Sequence, residues 1–143
     1  MLISQILHRK GADVATIDAK ATVAELVAEL ARVGVGALVV ADTGASVEGI
    51  VSERDVVRRM AKDGADTLEL LVQDVMTTNV VTCTLDEHVD DLMRLMTENR
   101  IRHVPVVVER RLAGIVSIGD VVNARVSELE TERQQLNDYI SGR

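Results

Sequence analysis

The sequence predicts an α+β fold made of two tandem β-α-β-β-α copies with an extended C-terminal helix. Three observations lead to it. The chain matches itself: Val14, Thr16, Val23, Leu26 and Val40 fall on Val80, Thr82, Val89, Leu92 and Val106, and after a one-residue deletion residues 49–57 fall on residues 114–122 with seven identities in nine positions. Within each copy, short β-branched runs alternate with stretches of helical period. The 143 residues are 47% hydrophobic with Tyr139 as the single aromatic, so the chain can bury a core without disulfides or metals, and that core is aliphatic.

Ser4 to Arg9 reads as a short helix stopped by Gly11. Val14 to Ile17 is a β-branched strand. Thr22 and Glu25 are spaced so that each can satisfy the other's free backbone donor, a capping box that opens a helix. Its Val23, Leu26, Val27, Leu30 and Val33 share one face, and Gly34 offers a C-cap. Ala37 to Val40 and Val47 to Val51 read as strands joined by a turn at Asp42 to Ser46, and Ser52 opens the last helix of the copy. Lys62 to Val75, with Gly64, Asp66 and a short apolar helix, connects the copies.

The second copy repeats the order. It has a strand at Val80 to Cys83, a helix carrying Val89, Leu92, Met93 and Met96, and strands at Val104 to Val108 and Leu112 to Val116, with Glu109 to Arg111 turning between them. A longer helix follows from Val121 to about Tyr139. Its Val122, Val126, Leu129, Leu136 and Ile140 keep a heptad-like spacing that Arg133 interrupts, too few clean heptads for a long coiled coil but suited to a solvated, self-packing or subunit-contacting helix. The division is residues 1–66 for the first copy with the N-terminal helix, and 67–143 for the second with linker and C-terminal helix.

Composition excludes several function classes. Asp and Glu outnumber Lys and Arg by 23 to 16, a formal charge of −7 and the wrong sign for gripping a nucleic-acid backbone, and one aromatic provides no base-stacking platform. Cys83 is the single cysteine, which rules out a disulfide framework and suits a reducing cytosol. His8, His88 and His103 lack a ligand spacing, so no metal is expected. No apolar run reaches the roughly 18 residues of a membrane span, and Met1 to Leu7 is too short for a signal segment, so the expected location is cytoplasmic.

Two segments carry the candidate chemistry, Gly49-Ile-Val-Ser52-Glu-Arg-Asp55 and Gly114-Ile-Val-Ser117-Ile-Gly-Asp120. Each reads as a strand running into a helix N-terminus. There, free N–H groups and the positive dipole end can receive a phosphate, the serine can add a hydrogen bond, and the carboxylate can accept from two ribose hydroxyls. Serine at the N-cap with aspartate three residues on is equally a good helix cap, and a cap would be duplicated too. One strand earlier, Arg100, Arg102 and His103 bring phosphate-pairing charge to the start of an apolar strand, or decorate a solvated turn; the aligned Gly34, Gly36 and Ala37 carry none. Pro105 within that strand implies an edge or a bulge.

The repeat, the Arg102-His103-Val104-Pro105-Val106 strand and the two Gly-aliphatic-aliphatic-Ser-x-x-Asp segments together resemble a tandem pair of cystathionine-β-synthase (CBS) domains, from about Gln5 to Val126. The resemblance implies copies packed sheet to sheet about a pseudo-twofold axis. It further implies two clefts of the kind that in this family commonly bind AMP, ADP, ATP or S-adenosylmethionine, and dimers of such pairs. On the same ground Asp55 and Asp120 would hold ribose hydroxyls, Ser52 and Ser117 would meet ribose or phosphate, and Thr16 and Thr82 would line adenine pockets. Arg102 and His103 match the phosphate-facing positions, with Val104 and Pro105 continuing that strand beside the ligand. Gly36 and Ala37 depart from the pattern, so the two clefts are expected to be unequal.

No nucleophile elbow, P-loop, zinc-protease or dinucleotide fingerprint occurs, so the reading is a non-enzymatic module that needs no cofactor. It is expected to be a stand-alone regulator that senses an adenosine-containing ligand and works as a homodimer with some effector protein. The competing reading is a ligand-free docking module using Val35, Gly36 and the Met93 and Met96 helix, residues whose plainer role is core packing.

Overall fold

In the computed structural model, residues 1–42 and 46–142 are described, so the middle of the turn predicted at Asp42 to Ser46 lies outside the described residues. The elements run α1 (Ile3–Lys10), β1 (Thr16–Ile17), α2 (Val23–Val33), β2 (Ala37–Ala41), β3 (Val47–Ser52) and α3 (Glu53–Asp63). A 3-10 turn at Gly64–Glu69 leads on to α4 (Val72–Val75), α5 (Val89–Asn99), β4 (His103–Val108), β5 (Arg111–Ser117) and α6 (Ile118–Ile140). Contacts divide them into two compact units. One comprises Asp13–Thr82 with Val107–Ala113; the other joins Met1–Ala12, Cys83–Val106 and the chain from Gly114 onward. None of the described helices is long and apolar enough to cross a membrane.

In the unit built on Asp13–Thr82, β2 is the central strand, parallel to β1 and antiparallel to β3. Being covered on both sides, it buries every residue from Ala37 to Val40. The period read in the sequence appears directly. Helix α2 starts where Thr22 Oγ1 accepts from Glu25 N at 3.1 Å and ends at Gly34 in the left-handed conformation, φ 77°. Between those caps it buries Val23, Leu26 and Leu30 against Leu38, Val40, Val51, Val56 and Val72.

Gly49 has a packing reason. Ile50 and Thr77 exchange both backbone hydrogen bonds at 3.0 and 2.9 Å, and a Cβ on Gly49 would stand 2.9 Å from the Thr77 carbonyl oxygen and 2.8 Å from Met76 Sδ. A Cβ on the aligned Gly114 would meet instead the flexible end of Leu7, with Cδ1 at 2.7 Å. Gly49→Ala is therefore predicted to cost about 1–3 kcal/mol and Gly114→Ala less, because backbone cannot step aside as a leucine methyl can. Urea denaturation of the two variants ranks them, and the reverse order would contradict this account.

In the other unit, Ile3 N and Ser4 N donate to the carbonyls of Glu87 and Leu85, both at 2.9 Å, tying the start of α1 to the approach of α5. Ile3, Ile6 and Leu7 are buried with Val89, Leu92 and Met96 of α5, Val104 and Val106 of β4, Val116 of β5, and Val121 and Ala124 of α6. Met96 is thus a core residue and not a surface contact. Helix α1 opens the first copy in the chain yet packs in the unit that holds most of the second.

The strand predicted at Val80 to Cys83 is reduced to one parallel bridge, Cys83 to Val106. Cys83 N donates to the Pro105 carbonyl at 3.0 Å. Within a strand a residue's N and C=O point to the same side, so the proline nitrogen, which has no hydrogen, faces that same edge and the ladder stops there. Strands β4 and β5 pair through a two-residue turn in which Glu109 and Arg110 both have positive φ, 50° and 66°. Helix α6 starts at Ile118, earlier than Val121, because Ser117 caps it.

Candidate functional site

Both Ser-x-x-Asp segments fold as reciprocal caps. At α3, Ser52 N donates to Asp55 Oδ2 at 2.9 Å and Asp55 N donates to Ser52 Oγ at 3.3 Å, while Ser52 Oγ donates to Asp55 Oδ2 at 3.1 Å. At α6, Ser117 N donates to Asp120 Oδ2 at 2.8 Å and Asp120 N donates to Ser117 Oγ at 3.2 Å. The cap therefore orients each carboxylate at the positive end of its helix, and cap and candidate seat are one construction.

A second bond shapes each seat. Glu53 N, the first helical donor of α3, reaches the Gly36 carbonyl at 2.9 Å; Ile118 N, its counterpart in α6, reaches the Arg102 carbonyl at 2.8 Å. A strand start is thus stapled to a helix start in both copies. In the second copy the staple sets the backbone of the exposed Arg102, with half-buried His103 next in the chain, against the helix start that bears Ser117 and Asp120, whereas the first copy sets the uncharged Gly36 and Ala37 against the helix start that bears Ser52 and Asp55.

Lys10, which the sequence reading overlooked, completes the second seat. At the last position of α1, its Nζ donates to Asp120 Oδ2 at 2.6 Å and to the Ile115 carbonyl at 2.9 Å. Burial raises the Asp120 pKa, but the Lys10 bond, the Ser117 N–H and the lysine charge outweigh it and hold the carboxyl below the usual aspartate value. The only sequence signal was the basic last turn His8-Arg9-Lys10, and nothing local pointed it at a residue 110 positions away.

The remaining candidates are spread more widely. Thr16 is exposed on β1 opposite Val39, which itself pairs with Ile50. Thr82 is exposed in the segment before Cys83. Val104 and Pro105 are buried within β4, with the Pro105 carbonyl committed to Cys83. Burial, reinforced by the negative charge of Glu87, pushes the Cys83 thiol up to about 12, so it is inert at neutral pH. No group of three or more metal-ligating side chains forms among the described residues. Separately, α2 and α3 enclose an apolar groove of about 650 Å³ lined by Val27, Leu30, Val35, Val56, Val57 and Met60.

The CBS domain model matches this chain twice, over residues 3–62 and 72–127. The mitochondrial CBS domain-containing protein CBSX3 of Arabidopsis thaliana is 42% identical over 125 residues, which are 85% of this chain and 61% of that relative. Among solved structures, the CBS-domain containing protein ATU1752 of Agrobacterium tumefaciens is 45% identical with a TM-score of 0.85, covering 87% of this chain and 99% of that one. The CBS domain pair of MJ0100, solved in complex with 5-methylthioadenosine and S-adenosyl-L-methionine, is 25% identical with a TM-score of 0.74, covering 90% of this chain and 98% of its own. With both copies matched and the folded repeats superimposing on solved pairs, the chain belongs to the CBS domain family.

Proposed function

We propose that this chain is a cytoplasmic, non-enzymatic regulatory module that binds an adenosine-containing ligand, of the class AMP, ADP, ATP or S-adenosylmethionine, and signals by changing the packing of a homodimer. In this proposal the copies divide at residues 66 and 67. Ser52 with Asp55 and Ser117 with Asp120 take ribose or phosphate, Thr16 and Thr82 lie against adenine, and Arg102 and His103, continued by Val104 and Pro105, approach the phosphate. The observation that carries the reading is the seat built twice: a capped helix start bearing an oriented carboxylate, stapled to a strand start. The adenosyl ligands of the MJ0100 pair support it. The serine hydroxyls accept from the aspartate N–H groups of their own caps, a role in the fold and not that of an activated nucleophile.

The homodimer rests on apolar helix faces that the chain leaves open. Val57 and its aligned Val122 are 65% and 48% exposed, and along α6 the series continues through Val126, Leu129, Leu136 and Ile140. A face presented by both copies of one chain suits a second copy related by a twofold axis. A ligand-free docking module is the second reading, favoured by the groove between α2 and α3.

Isothermal titration with AMP, ATP and S-adenosylmethionine, with GTP as control, run beside light-scattering mass, separates the readings. Saturable binding selective for adenosine ligands by a dimer is the predicted result. A dimer that takes up none of them favours docking, and a monomer discards the homodimer.

A further inference from the structure

We propose that Lys10 makes the second seat selective for nucleosides that carry a phosphate, acting as a specificity-determining residue from the helix that opens the first copy. The inference rests on the nucleotide reading above and sharpens it for one seat. Asp120 Oδ2 accepts from Ser117 N at 2.8 Å and from Lys10 Nζ at 2.6 Å, which fills both of its lone pairs. A ribose diol donates two hydrogen bonds and engages both oxygens of a carboxylate. The hydroxyl that approaches Oδ2 then competes with the two donors already there. Ser117 N–H belongs to the cap of α6 and is fixed by the backbone, so the ammonium is the group that moves.

The displaced ammonium keeps the Ile115 carbonyl at 2.9 Å but loses its charged partner. Its stem stays in place, because Gly11 N closes α1 on the Leu7 carbonyl at 2.8 Å and the Leu7 methyls sit against Gly114. Only the flexible end of the side chain, one-third exposed, swings. A phosphate on the same ligand restores the lost ion pair beside Arg102 and the N-terminus of α6. A neutral nucleoside leaves the ammonium without a charged partner, and a sulfonium adds a like charge. At the first seat the bonds of Asp55 go to Ser52, and Gly36 and Ala37 stand where the second seat has Arg102 and His103, so the selectivity belongs to the second seat.

The test is titration of AMP, adenosine and S-adenosylmethionine into the 143-residue chain carrying Asp55→Ala, so that the second seat is read alone, with and without Lys10→Gln and Lys10→Arg. AMP is expected to bind more tightly than adenosine. Lys10→Gln should weaken AMP by roughly tenfold while adenosine binds as well as before or better, and Lys10→Arg should keep most of the preference. An AMP-to-adenosine ratio that Lys10→Gln leaves unchanged overturns the inference and spares the nucleotide reading. So does preferential binding of S-adenosylmethionine. No binding of any of the three, in this background or in the wild type, overturns both.

Discussion

Replacing Asp120 with alanine is expected to lower the stability of the protein by about 1–3 kcal/mol, because its carboxylate serves the cap of α6 and the Lys10 ion pair, and, if it holds ribose as proposed, to weaken AMP by about ten- to hundredfold. Denaturant unfolding and titration read the two effects separately. Loss of stability with unchanged affinity would reduce the seat to a cap. The stability effect carries its own pH signature. Since the folded-state pKa of Asp120 lies below its unfolded value, the stabilisation is fully present above the ordinary aspartate range of about 3.9 and is lost as pH falls through the lowered folded value. The gap between wild type and Asp120→Asn should therefore be constant near neutrality and close on acidification below about pH 4. A gap that widened there would reverse the assigned sign.

Leu26→Ala carries the largest expected cost to the fold, about 2–5 kcal/mol. Leu26 is fully buried, and most of its cluster, Val23, Val40, Val51, Val56 and Val72, consists of short β-branched side chains that fill a cavity poorly. An aromatic core could tilt a ring into the gap; this chain has no Phe or Trp. Leu92, the aligned residue, is 1% exposed and predicts a cost in the same range. Urea midpoints for the pair check both values, and a loss under 1 kcal/mol at Leu26 would mean that the core relaxes around the deletion.

The parts legible in the sequence are those whose physics is local. Helices α2 and α5 follow from a buried stripe repeating every three or four residues, and the caps at Thr22, Ser52 and Ser117 follow from a side chain meeting an N–H three residues on. The two Ser-Asp seats and their unequal surroundings came from the same short-range logic, helped by the repeat. What stayed hidden depends on distant neighbours. Nothing near Gly49 announces the Thr77 carbonyl, and Val80 to Cys83 has strand composition but meets a proline nitrogen with no hydrogen to give. Lys10 reads as a solvated helix end until Asp120 is folded against it.

The packing of α1 with the second copy also sets an order in time. This helix leaves the ribosome before the elements that bury it: Leu7 must wait for Gly114, and Lys10 for Asp120, 110 residues later. Most of the unit around Asp13–Thr82 is made in the interval. Closing so long a loop is entropically costly and slow compared with local contacts. The nascent chain therefore carries Ile3, Ile6 and Leu7 as an exposed apolar strip while the residues between Lys10 and Asp120 are made, a window in which a chaperone, or a second nascent chain, has first access to them.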